Sequence, residues 1–98
     1  MEKVKAMQVM SALSQATRLE VFQRLVEVLP EGMASGELAA VIGSSPNTMS
    51  AHLAVLTRAG VVRSDKVGRT VVYRAVTKSV EELSRFLAQA CEMPDSRA

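Results

Sequence analysis

The 98-residue sequence holds one cysteine, one histidine, three aromatic residues and no tryptophan. A lone Cys91 excludes a disulfide framework within the chain and any cysteine-rich structural zinc site, so folding must rest on aliphatic packing. With Phe22, Tyr73 and Phe86 as the whole aromatic complement, the stacking platforms of most single-strand and RNA readers are missing. A nucleic-acid partner would therefore be double-stranded DNA. No apolar run approaches the ~18 residues of a membrane span, and the opening MEKVKAMQ lacks the apolar centre of a secretion signal. A soluble cytoplasmic protein with no membrane contact is expected. No nucleophile with a base and an orienting partner, no paired carboxylates and no phosphate-cradling glycine loop occurs, so the chain is not read as an enzyme. His52 has no second His or Cys nearby in sequence and cannot build a zinc site; no metal or cofactor is expected.

What is present is aliphatic. At 48% hydrophobic the chain can close one small core, expected to span residues 1–92 and to leave 93–98 as a disordered tail. The formal charge of +2 is unevenly spread. Residues 45–74 carry Arg58, Arg63, Lys66, Arg69 and Arg74 against Asp65 alone, whereas the segments on either side are each weakly acidic. A polyanion could dock on that stretch; a solvated charged face is the plainer reading, and the organisation of the segment has to decide.

Periodicity supplies that organisation. Val4, Met7, Met10 and Leu13 form a narrow stripe on a first helix, and Leu19, Phe22, Leu25, Val26 and Leu29 mark a second, with Ser14 and Thr17 as candidate caps. Pro30 and Gly32 end it. Ser35 is placed to cap a short third helix that turns Leu38, Val41 and Ile42 inward and stops at Gly43. Ser45 then caps a fourth helix with Pro46 at its first position, Met49, Leu53 and Leu56 as the buried stripe, and Gly60 as the stop. Two helices joined by so short a turn cross steeply. Beyond Gly60, Val61 to Arg63 and Thr70 to Val76 read as two strands around a turn at Val67, Gly68 and Arg69. Ser79 and Glu82 suggest a capping box for a last helix with Val80, Leu83, Phe86, Leu87 and Ala90 on its apolar face. The fold expected is mainly α with a two-stranded β-wing, in the order α-α-α-α-β-β-α: a winged helix-turn-helix.

The stretches SALSQATRLEVFQRLV (11–26), GMASGELAAVIGSSPNTMSAHLAVLTRAGVVRS (32–64) and KVGRTVVYRA (66–75) resemble the ArsR/SmtB family of transcriptional repressors, in order and in spacing. The resemblance implies a homodimer that binds an imperfect palindromic operator and leaves it when a small effector binds. Independently of it, the start of the second helix of a helix-turn-helix points at base edges, which makes Ser45, Pro46, Asn47, Thr48, Ser50 and Ala51 the candidate readers. Asn47 can offer a bidentate pair to adenine, Thr48 and Ser50 can serve bases or phosphates, and Ala51 could touch only a thymine methyl. His52 is assigned a packing or phosphate-contact role, and Lys66 and Arg69 at the ribbon tip a groove or backbone contact. Of Arg58, Arg63 and Arg74, at least one is expected in a surface ion pair.

The terminal helices carry more apolar surface than a small core needs. Pairing Val4, Met7, Met10 and Leu13 with Val80, Leu83, Leu87 and Ala90 across a two-fold axis would bury both stripes and set two recognition helices ~34 Å apart, one DNA turn. Family members that sense metals use a Cys-x-Cys in the third helix, where this chain has Ala34 and Gly36, or histidines on the last helix, where SVEELSRFLAQACE has none. The stretches TRLEVF, PEGMASGELA and LAQAC resemble a subgroup whose last helix ends in adjacent cysteines and which senses trivalent arsenicals; here the pair is reduced to Cys91 followed by Glu92. Cys91 is the effector candidate, for an arsenical, another thiophilic ligand or an oxidant, and would need a second soft ligand such as Met93, Met10 or a thiol from a partner to chelate. A protein–protein module that never touches DNA is the rival reading.

Overall fold

The computed structural model describes residues 1–92; the tail expected at 93–98, Met93 included, lies outside them. The order is α1 (Lys3–Leu13), α2 (Ala16–Glu27), β1 (Met33–Ala34), α3 (Ser35–Ile42), α4 (Pro46–Arg58), β2 (Val62–Val67), β3 (Thr70–Ala75) and α5 (Thr77–Cys91). The winged helix-turn-helix expected from the sequence is present, with one addition. Met33 pairs with Tyr73 and Ala34 with Val72, so the wing is the larger part of a three-stranded antiparallel sheet ordered β1-β3-β2. Gly32 makes this possible. It sits at φ +76°, and a Cβ there would lie 2.5 Å from the Tyr73 carbonyl oxygen, so only glycine lets the chain approach β3 so closely.

The core is built from Leu25, Leu38, Met49, Leu53, Leu56, Val9, Val21, Val61 and Val62, all essentially inaccessible to solvent. Met49, Leu53 and Leu56 are the expected buried stripe of α4. Helices α1 to α3 turn differently from the sequence reading. In α1 the core face is Ala6, Val9 and Ala12, which leaves Val4, Met7 and Met10 outside, while Leu13 packs half-buried against the core. In α2, Val21 enters the core, while Leu19 and Val26, and Leu29 just beyond the helix, are exposed; in α3, Ala39 is buried and Val41 exposed. In α1 and α3 the reason is size: alanines on the inner face allow helices to approach closely, and the bulkier neighbours are displaced to the rim.

The caps also differ. Gln15, rather than Ser14 or Thr17, caps α2, its side-chain oxygen accepting from the Arg18 N–H. Ser35 lies inside α3, whose first turn is closed instead by Glu37 accepting from the Ala34 N–H at 2.9 Å. The expected Ser79–Glu82 box is absent, because α5 starts at Thr77 and the Ser79 hydroxyl donates to the Gly60 carbonyl at 2.7 Å. Arg18 closes the other end of α1, its Nε donating to the Ala12 carbonyl at 2.7 Å. A guanidinium there satisfies an orphan carbonyl and complements the helix dipole.

Candidate nucleic-acid interface

Helices α3 and α4 are separated by Gly43, Ser44 and Ser45. Gly43 takes φ +84°, and the N–H groups of Gly43 and Ser44 both return to the Ala39 carbonyl, which folds the chain tightly between the two helices. Helix α4 then starts as its sequence dictates. Pro46 occupies the first turn, and Ser45 Oγ accepts from the Thr48 N–H at 3.1 Å. The Ser45 hydroxyl proton goes to Thr48 Oγ1 at 2.9 Å. Ser45 is thereby committed to the helix, and the Thr48 hydroxyl keeps its own proton free to donate. Asn47, Ser50 and Ala51 are exposed, and among the described residues their side chains make no hydrogen bond within the chain.

The outer face of α4 extends further than the candidates named from the sequence. Asn47, Ala51, Ala54 and Arg58 follow one another at steps of four, three and four, and all are exposed. Ala54 was missed because an alanine beyond the first two turns carries no chemical signal; its value here is the absence of bulk, which lets the helix lie close to another surface. His52 is half-buried on the flank of the same helix.

The cations of the adjoining ribbon divide by register. Across the β2–β3 ladder Arg63 faces Arg74, and Val67 pairs with Thr70, so the turn itself is Gly68 and Arg69. Two arginines directly opposed repel. Asp65, on the same face, resolves this by accepting from Arg74 at 2.7 Å and from Arg63 at 3.0 Å. Those two guanidinium groups, Arg74 first, hold its carboxyl below the ordinary 3.8. Arg74 also donates to the Pro30 carbonyl at 2.8 Å, which ties the ribbon to the loop after α2. The expected ion pair is thus a shared one. Lys66 and Arg69 at the tip and Arg58 at the end of α4 are exposed and make no ion pair among the described residues.

Of the residues expected to pair, some lie on the surface and others are taken up by the chain's own core. Val4 and Met7 are 67% and 57% exposed on α1, Leu87 is 41% exposed on α5, and Met10 and Ala90 are also outside. Leu83 is not available: it is buried in the chain's own core, and Leu13 and Val80 pack half-buried against that core. Cys91 is a free, exposed thiol in the last turn of α5. No helix among the described residues is long and apolar enough to cross a membrane.

A family model described as a helix-turn-helix domain matches residues 13–65. The HTH-type transcriptional regulator KmtR of Mycobacterium tuberculosis is 34% identical over 76 residues, 78% of this chain; the match spans 56% of that relative's length. An ArsR-like transcriptional regulator from Rhodococcus sp. RHA1 has a solved structure that is 30% identical and superposes with a TM-score of 0.82 over 96% of this chain and 86% of its own. The homodimeric winged helix-turn-helix DNA-binding domain of a possible ArsR-family regulator from Mycobacterium bovis shares the fold at 23% identity, with a TM-score of 0.72 over 97% of this chain and 86% of its own. A helix-turn-helix match over more than half the sequence, and a regulator of 30% identity that superposes over nearly all of it, place the chain in a family: it belongs to the ArsR family of helix-turn-helix transcriptional regulators.

Proposed function

We propose that the chain works in the cytoplasm as a homodimeric repressor that binds double-stranded DNA at an imperfect palindrome and is released by an effector. The observation that carries the reading is the continuous outer face of α4, with no side chain bulky enough to block approach between Asn47 and Arg58, together with the exposed Lys66 and Arg69 at the wing tip, which make no ion pair among the described residues. In this reading Asn47, Thr48, Ser50 and Ala51 meet base edges in the major groove, Ser45 and Pro46 shape the helix start, His52 lies against the backbone, and Lys66 and Arg69 hold phosphates. The exposed Val4, Met7, Met10, Leu87 and Ala90 supply the surface that pairs across the two-fold axis.

The experiment is selection of a duplex from random-sequence DNA by the purified chain, followed by equilibrium binding. The expected result is a palindromic site, with Asn47→Ala relaxing the preference at one base position by about 1–3 kcal/mol. Failure to select any sequence would favour the protein–protein module.

Release is assigned to the pairing helices. Cys91 lies one turn beyond Leu87 on the same side of α5 and is accessible to an arsenical, another thiophilic ligand or an oxidant. Arsenite and peroxide are expected to release DNA from the native chain and not from Cys91→Ser; equal release from both would remove Cys91 as the effector site.

A further inference from the structure

The C-terminal end of α4 is held in a way that its own sequence does not require. Gly60 at φ +80° reverses the chain, and the N–H groups of Gly60 and Val61 return to the carbonyls of Thr57 and Leu56, which closes the last turn locally. The carbonyls of Ala59 and Gly60 are taken from a distance. Lys5 Nζ of α1 donates to the Ala59 oxygen at 2.7 Å, and Ser79 Oγ of α5 donates to the Gly60 oxygen at 2.7 Å. The site is tight: a Cβ on Gly60 would stand 2.7 Å from Lys5 Nζ. An ammonium at this position also meets the negative end of the α4 dipole.

We infer that Lys5 and Ser79 are positioning residues that fix the pitch of the reading helix relative to the helices through which two copies pair. The inference rests on the DNA reading proposed above. Both donors come from elements that carry the exposed apolar stripe, Lys5 between Val4 and Met7 and Ser79 two turns before Leu87. Between them they grip two of the three residues that join α4 to the wing. A helix of 13 residues is a lever about 20 Å long, so a tilt of about 10° at the grip displaces Asn47 by about 3 Å. That is far beyond the tolerance of a base-edge hydrogen bond, whose useful range is about half an ångström. Long flexible cations on phosphates absorb such a shift. Loosening the grip therefore costs sequence discrimination and leaves general DNA affinity in place.

The test uses the full chain, a duplex that the native protein selects from random DNA, and a shuffled duplex of the same length and composition. Lys5→Met and Ser79→Ala are each expected to weaken the selected duplex about tenfold, the usual value of one such hydrogen bond, and to leave the shuffled duplex within about twofold. The salt slope and the oligomeric state are expected to stay native, and Lys5→Arg and Ser79→Thr, which keep a donor, to recover most of the discrimination. Should Lys5→Met not fold, the Ser79→Ala and Ser79→Thr pair carries the same comparison. Equal losses on both duplexes with a lower salt slope would make Lys5 a phosphate contact and overturn the inference, as would native discrimination in both variants. If the native chain selects no duplex, the DNA reading itself fails and the inference with it.

Discussion

The base and the tip of the wing are a few residues apart in one ribbon and are built to opposite rules. At the base every charge is answered: Arg63 and Arg74, opposed across the ladder, share Asp65, and Arg74 also reaches the Pro30 carbonyl. Backbone there is packed to the limit, with Gly32 against Tyr73. At the tip Lys66 and Arg69 are exposed without a partner among the described residues, Val67 is exposed, and Gly68 has open space around its α-carbon. The difference teaches that a cation count overstates what a polyanion can meet. Of the five cations in residues 45–74, two hold the ribbon in shape and three face outward.

Substitutions can break this contrast. The largest effect is expected at the base glycine: Gly32→Ala adds a collision with backbone to left-handed strain and should cost about 3 kcal/mol in urea unfolding. Gly68→Ala has the strain without the collision and should cost about 1 kcal/mol. Equal costs would contradict the packing described for the base. Next, Arg69→Ala should leave stability native, weaken binding to selected and shuffled duplexes alike, and lower the slope of log affinity against log salt by about one. Arg63→Ala, whose charge is already engaged, should leave that slope unchanged.

The smallest effect is a pH dependence. The Asp65 carboxyl sits below its ordinary pKa of 3.8 in the folded chain, so its contribution to stability is complete above that value and disappears as pH falls through the lower folded value. Asp65→Asn should therefore be less stable than the native chain at pH 7, and the gap should close progressively below about pH 4. A gap that persists unchanged at pH 2 would mean that the arginines are not what Asp65 serves.

These contrasts mark where sequence is legible. Ser45 and Pro46 are local signals, and the start of α4 lies where they place it, with Met49, Leu53 and Leu56 inside. The wing was equally plain, because β-branched residues flank a glycine. The inner face of α1 was not legible, since Ala6 and Ala12 carry too little hydrophobic weight to compete with the methionines on the other side. Ser79 misled for another reason: its partner lies 19 residues away, and a hydroxyl near a helix start says nothing of a distant carbonyl. The Asp65 pairing, the β1 strand and the Lys5 contact all depend on register or on packing between distant segments, which spacing alone does not encode.

The most direct test of the DNA reading is the paired charge reversal Lys66→Glu with Arg69→Glu, measured by equilibrium binding to the selected duplex across a salt series. The account predicts steep salt dependence in the native chain and loss of binding by at least about a hundredfold in the reversed one, with folding and pairing intact. Undiminished binding after reversal, or native binding indifferent to salt, would contradict it.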